Sequence, residues 1–186
     1  MKIYTKKGDK GFTGLLFGGR VKKDTFRVEL NGEVDNAQAS LGFARAIAQG
    51  NPKLDALLIS IERDLWVLMA EVATLPKNRS KLQSGSSLVT DAMTQRLENE
   101  IDEIMTQFDM PKDFVIPGSN LTSAALDLAR TTIRKAERCS VAFVDKTDDS
   151  KVGVYLNRLS DLVWALARWV EGDRLLARNI ESDDLN

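Results

Sequence analysis

Residues 4–14 read YTKKGDKGFTG, three glycines, two threonines and three lysines in eleven positions. Gly8, Gly11 and Gly14 let the chain reach positive φ and bring backbone N–H groups close to a ligand. Successive N–H groups in such turns form anion-holding concavities. Lys6, Lys7, Lys10, Arg20, Lys22 and Lys23 add positive charge, and the hydroxyls of Thr5 and Thr13 can bond phosphate oxygens. Asp9 would orient a lysine there, or help to hold a magnesium ion. The residue order is neither G-x-x-x-x-G-K-[ST] nor G-x-G-x-x-G, so neither standard nucleotide loop is present. A tight-turned terminus with no ligand is the plainer reading, and residue types alone leave both open.

Two helix-period stretches carry a second set of chemical groups. Arg130, Arg134, Glu137 and Arg138 fall on adjacent turns. Arginines four apart disfavour a helix slightly. They are better tolerated with a carboxylate or phosphate between them, because guanidinium forks bind such groups bidentately. A solvated basic face, with Asp127 and Glu137 as partners three residues away, is the alternative. Asn157, Asp161, Trp164 and Arg168 line up at spacings of 4, 3 and 4. That row suits a flat ligand, or ordinary packing of one helix on another. Phe114, in KDFVIPG, is either a plug for the end of the fold or a ring presented to a pocket.

Composition removes many chemistries. There is no histidine, hence no Ser-His-Asp or Cys-His catalysis and no ordinary zinc centre; no resident metal site is expected. Catalysis must work by positioning, charge and carboxylates. The single cysteine, Cys139, rules out an internal disulfide and suits a reducing cytoplasm; its helical spacing marks it as a small core residue. Net charge is −1, yet the first 23 residues hold seven Lys/Arg against one acid, a local patch suited to a small polyanion more than to a nucleic-acid groove. No apolar run is long enough for a membrane span, and the start lacks the apolar stretch of a signal peptide. A cytoplasmic protein that binds neither nucleic acid nor membrane is expected.

The elements that must position these groups follow from apolar spacing. Five helices are expected: Gly32–Gln49 with Val34, Ala37, Leu41, Ala44 and Ile47; Lys53–Leu75 with Leu54, Leu57, Ile61, Leu65, Leu68 and Val72; and Thr90–Phe108 with Met93, Leu97, Ile101 and Ile104. The fourth, capped by Ser119 or Asn120, runs to Asp145 with Leu121, Ala125, Leu128, Thr132, Ala136, Cys139 and Phe143 inward. The fifth is Val152–Gly172, with Leu156, Leu159, Val163, Leu166 and Val170. PKNRSKLQSGSS has no period and reads as a mobile loop. The expectation is an all-α, five-helix up-and-down bundle in one domain over 1–186, with an N-terminal nucleotide-binding segment 1–31, a bundle 32–175 and a polar, frayed tail 176–186.

YTKKGDKGFTG, RVKKD, FRVELNGEVD, FVIPGSN, ARTTIRKAER and YLNRLSDLVWALAR, in this order, resemble the PduO-type ATP:cob(I)alamin adenosyltransferases over about residues 1 to 172. The resemblance implies a homotrimer of five-helix bundles with ATP held between subunits. It implies transfer of the 5′-deoxyadenosyl group of ATP to the cobalt of reduced cobalamin through a four-coordinate cob(II)alamin, with release of triphosphate and with Mg²⁺ as nucleotide counter-ion. By position, Thr5, Lys6, Lys7, Gly8, Asp9, Lys10, Gly11, Phe12, Thr13 and Gly14, with Lys23, would bind the triphosphate. Arg134, Glu137, Arg138 and Asn157 would complete the nucleotide site, and Arg130 would also face the nucleotide. Asp35 would meet an arginine of the neighbouring subunit, Arg134 in this reading. Phe114 and Trp164 fall where the family lines its corrinoid pocket with rings, one of which displaces the lower axial base. Co(I) is then itself the nucleophile, so the missing histidines cost nothing. An electron-donating reductase and an adenosylcobalamin-dependent client enzyme are the partners this implies. Asn36, Gln38, Ser119, Asn120 and Trp164 depart from the usual family residues. A non-catalytic ATP- or corrinoid-binding carrier or sensor is the alternative.

Overall fold

The computed structural model describes residues 3–178. Five α-helices form: α1 Phe26–Ile47, α2 Pro52–Val72, α3 Asp91–Met105, α4 Leu121–Val144 and α5 Val152–Glu171. Their starts are set locally. The side chains of Asn51 and Thr90 accept from the N–H of Leu54 and Met93 (3.1 and 3.4 Å), and Asn120 makes a reciprocal capping box with Ser123. Gly172, at φ 72°, ends α5.

Three expectations are corrected. Helix α1 begins at Phe26, six residues before the Gly32 read from the sequence. Leu30 continues its apolar stripe, and the next position back is Arg27, whose buried guanidinium donates to the carbonyls of Val72 and Thr74. A charge in a buried stripe hides the period. The expected mobile loop opens with a 3₁₀ helix, Pro76–Lys81, whose polar residues meet protein partners. Asn78 is buried and donates to the Phe17 carbonyl (3.3 Å), and Arg79 pairs with Glu71 (3.0 Å). The third concerns α4. Leu121 and Leu128 are 76% and 55% exposed, and the buried line runs through Ala125, Leu126, Ala129, Ile133, Ala136, Ser140 and Phe143. Of the polar tail, residues 179–186 lie outside the described residues.

Side-chain pairs give the direction of every helix. Arg27 ties the start of α1 to the end of α2, and Arg45 pairs with Asp55 (2.9 Å) where the two helices are joined. Lys53 reaches Glu103 at 2.7 Å while the N–H of Val89 donates to Glu71 at 2.8 Å, so α3 runs against α2. Lys151–Asp91 and Arg158–Glu98 (3.1 and 2.9 Å) lay α5 alongside α3 in the same sense. At one end of α4 Asp127 meets Arg168 (2.6 Å); at the other, a Cβ on Gly153 would lie 3.3 Å from Ser140 and Val144. The five helices therefore alternate up and down around one core, with Leu30, Leu41, Leu58, Leu65, Ile133, Tyr155 and Leu162 wholly buried. Tyr155 donates to Asp64 (2.8 Å), which also pairs with Arg96 and whose pKa burial raises above the usual carboxylate range.

One end of the bundle is closed by Glu71. Its wholly buried carboxylate accepts from Arg79, from the Val89 N–H (2.8 Å) and from the Ser150 hydroxyl (2.8 Å), joining the 3₁₀ helix, the approach to α3 and the α4–α5 turn. The N-terminal segment docks beside it as a hairpin, β1 Phe12–Gly14 antiparallel to β2 Arg20–Lys22, two short strands that glycine-rich spacing had not suggested. The N–H of Leu16 in the turn donates to the Ala73 carbonyl (2.9 Å). Glu71→Ala should lower unfolding stability by about 3 kcal/mol, because it strands a guanidinium, an N–H and a hydroxyl together. A urea titration with unchanged slope and a lower midpoint is the expected result.

Candidate functional site

Chemical groups gather at the two ends of the bundle and on the outer face of α4 between them. At the Glu71 end lies a cationic cradle. Its hairpin pairs Phe12 with Lys22 and Gly14 with Arg20. Arg20 donates to the carbonyls of Lys7 and Phe12, the Gly11 N–H donates to the Gly8 carbonyl (3.2 Å), and the Lys23 N–H donates to Gly11 (2.9 Å). These bonds fold residues 5–14 over Lys23 and enclose about 320 Å³ lined by Thr5, Lys7, Gly8, Phe12, Thr13, Gly14, Arg20 and Lys23. Gly11 (φ 77°) and Lys6 (φ 56°) take the left-handed conformation that turns the chain back. A Cβ on Gly8 would come within 3.1 Å of the Lys23 ammonium. Lys6, Asp9, Lys10 and Gly11 are on the outside of the turn. Arg20 joins the set for a reason the sequence hides, since strand pairing alone brings it to Gly14.

The opposite end holds a cavity of about 500 Å³, of mixed apolar and charged lining: Met110–Val115, Pro117, Asp127, Arg130, Trp164 and Arg168. Phe114 is 82% exposed, so it is no plug for the bundle; its ring stands at the cavity. Its backbone is fixed on both sides: the Phe114 N–H donates to Asp113 (2.7 Å), the Ile116 N–H to Leu175 (2.9 Å), and the Ala177 N–H to Phe114 (2.9 Å). The Trp164 ring meets Phe108 edge-on at 6.4 Å, and the Arg168 guanidinium lies 5.8 Å from its centroid.

The row on α5 therefore divides. Asn157 and Asp161 are exposed, Asp161 pairing with Arg158 at 3.0 Å; Trp164 is half-buried; Arg168 is buried. Only the last two line the cavity. On α4, Arg130 turns towards the same cavity and pairs with Asp127 (3.2 Å), while Arg134 and Arg138 are exposed and Glu137 half-buried. Among the described residues those last three make no side-chain hydrogen bond or ion pair, nor does exposed Asp35 on α1; the nearby Glu33–Lys135 pair (2.7 Å) is separate. Of the other cavity residues, Arg168 closes the α5 row read from the spacing, while Asp127 was read only as a partner three residues before Arg130.

Other candidates are weaker. A groove of about 630 Å³ at the α1–α2 turn has as its cation Arg45, already paired with Asp55 and Glu62. Cys139 is half-buried, its pKa raised first by burial and then by Glu29 and Glu33, which suppresses the thiolate. Among the described residues no three His, Cys, Asp or Glu side chains gather to hold a metal, and no helix is long and apolar enough to cross a membrane.

Residues 3–170 match the cobalamin adenosyltransferase family. The chain is 38% identical over 170 residues to the corrinoid adenosyltransferase of Citrobacter freundii, covering 90% of this chain and 93% of that protein. It is 36% identical over 174 residues to that of Bacillus subtilis, covering 91% and 86%. Among solved structures, a variant PduO-type ATP:corrinoid adenosyltransferase from Lactobacillus reuteri complexed with cobalamin and ATP is similar with a TM-score of 0.86 at 30% identity, over 96% of this chain and 97% of that one. Another variant from that organism, complexed with ATP, gives 0.84 at 28% identity over 95% and 100%.

Because a Cβ at Gly8 would crowd the flexible end of Lys23, Gly8→Val should displace the ammonium and narrow the cradle. Calorimetric titration with inorganic triphosphate should show about tenfold weaker binding, with the helical circular dichroism unchanged.

Proposed function

The chain belongs to the cobalamin adenosyltransferase family, and from that premise we propose that it transfers the 5′-deoxyadenosyl group of ATP to the cobalt of a reduced corrinoid, releasing triphosphate. The observation that carries the reading is Phe114, a large ring left in solvent at the cavity it shares with Trp164, on a backbone held by hydrogen bonds on both sides. An apolar ring costs free energy in water; a flat macrocycle seated against it and Trp164 recovers that.

In this reading the cradle of Thr5–Gly14, with Arg20 and Lys23, takes the triphosphate. Its lysines, arginine and backbone N–H groups neutralise charge as the leaving group departs. Mg²⁺ would travel on the phosphates, with Asp9 as the one carboxylate of residues 4–14 able to share it; it would neutralise phosphate charge further. Phe114 occupies the lower face of the corrinoid, excludes the axial base and favours the four-coordinate Co(II) that is easier to reduce. Co(I) then attacks C5′ of ATP in line, forming the Co–C bond and breaking the C–O bond to triphosphate. No general base takes part, consistent with a chain that has no histidine.

The cavity is lined by Asp127 and Arg130 in the first half of α4, and the cradle lies towards its far end; the helix from Arg130 to Val144 spans about 21 Å. One chain does not bring the two together. We therefore infer a homotrimer in which the cradle of one subunit meets the α4 face of the next, with Arg134, Glu137, Arg138 and Asn157 on the nucleotide and Asp35 against a neighbour's Arg134. Exposed Leu128 and Val141 on α4 and Phe43 on α1 would be covered there. Cytoplasmic residence, an electron-donating reductase and an adenosylcobalamin-dependent client belong to the same proposal.

Reduced cobalamin with ATP and Mg²⁺ should convert to the adenosylcobalamin absorbance. Bound ATP with no conversion under strong reduction would leave a carrier or sensor instead. Lys23→Ala and Arg138→Ala, each inactive alone, should on subunit exchange regain about a quarter of the sites; no recovery would place both residues in one subunit's site. Phe114→Ala should slow Co(II) reduction at least tenfold while changing ATP affinity less than about twofold. Equal losses would make Phe114 a packing residue.

A further inference from the structure

The cavity wall contains a buried charge cluster that the proposed chemistry does not use. Arg168, 3% exposed, donates to Asp127 (2.6 Å) and pairs with Glu171 through Nε (2.8 Å). Asp127 and Glu171 are likewise buried. Two carboxylates against one guanidinium leave the group one charge short, and Arg130 supplies it, its Nε donating to the second Asp127 oxygen (3.2 Å). Among the described residues neither Nη of Arg130 makes a hydrogen bond, and the side chain lines the cavity. Arg168 lies 5.8 Å from the centroid of Trp164, which lines the same cavity.

We propose that Asp127 is a positioning residue for corrinoid binding: it locks Arg130 through Nε so that the guanidinium fork faces the cavity, and it clamps Arg168 beneath Trp164. The proposal rests on the adenosyltransferase reading. The fork offers N–H donors to the amide oxygens at the rim of a corrinoid, while the clamped ring offers it a fixed apolar wall. A side chain free to rotate would lose part of each contact to rotamer entropy. The cluster also confines the effect to the corrinoid, because Asp127 lies about two and three turns along α4 from the exposed Arg134 and Arg138.

Asp127→Asn keeps the shape and removes the charge. It should raise KM for cob(I)alamin about tenfold and leave KM for ATP within about twofold. In an Arg130→Ala background the same substitution should add little, because its effect passes largely through Arg130. Arg130→Lys, on a half-buried side chain where folding is safe, keeps the charge but lacks the Nε that Asp127 engages; it should reproduce the corrinoid defect even if Asp127→Asn does not fold. Equal rises in both KM values, full additivity in the double variant, or an unchanged Arg130→Lys would each overturn the proposal. Wild-type protein is the control: failure of the wild type to convert cobalamin sinks the adenosyltransferase reading itself, whereas normal wild-type turnover with unaffected variants sinks only the positioning role.

Discussion

Helix α4 packs between α1 and α5 through Ala125, Ala129, Ile133, Ala136 and Ser140, and the small volumes on that line let three backbones come close. Gly153 on α5 answers it, where a Cβ would press tightly on Ser140 and Val144. A helix buried on such a narrow face must expose the rest. The rest is Leu128, Arg134, Arg138 and Val141, a mixture of apolar and cationic side chains that water alone serves poorly. The phase with which α4 is buried thus decides which arginine enters the cavity and which two stand outside.

The ends of the bundle are stabilised differently from its middle. The middle is Leu, Ile, Val and Ala, held by area removed from water. At each end the chain reverses, and reversals leave polar backbone groups that must find partners. Glu71 gathers three donors at one end; at the other, Asn120 donates to the carbonyls of Val170 and Glu171 (2.8 and 3.0 Å) beside the Asp127–Arg168–Glu171 cluster. Buried ions are costly unless paired and hydrogen-bonded, and here they are placed where they also fix a functional segment. Glu71 and its neighbours seat the hairpin that carries the cradle, while Arg168 and Asp127 seat Trp164 and Arg130.

Helix length then separates the two segments. A bundle of helices of 15 to 24 residues holds its ends about 22 to 36 Å apart, and in the proposed function a second copy of the chain brings cradle and cavity together. That assembly would give partners to the exposed α4 arginines and to Asp35, which lack their own among the described residues.

Much of this was legible in the residues. Apolar spacings of three and four mark all five helices, and the glycines and lysines of residues 4–14 mark a tight cationic turn, because both signals are local. The start of α1 was not legible, since Arg27 interrupts the stripe and is buried only by carbonyls 45 and 47 residues away. The hairpin was missed because its strands are three residues long and polar. The phase of α4 was misread for a related reason: Leu121–Leu128 and Leu126–Ile133 are both plausible apolar lines, and only the close approach of α1 and α5 selects the one with small residues. By itself the sequence determined the five helices, the lack of histidine and the glycine- and lysine-rich run from which part of the cradle is built. Only the tertiary structure decided that Phe114 faces a cavity, that Arg130 belongs to it through Asp127 and Arg168, and that cradle and cavity lie at opposite ends. Pairings between residues 41 apart in the chain arise from packing, which no local spacing encodes.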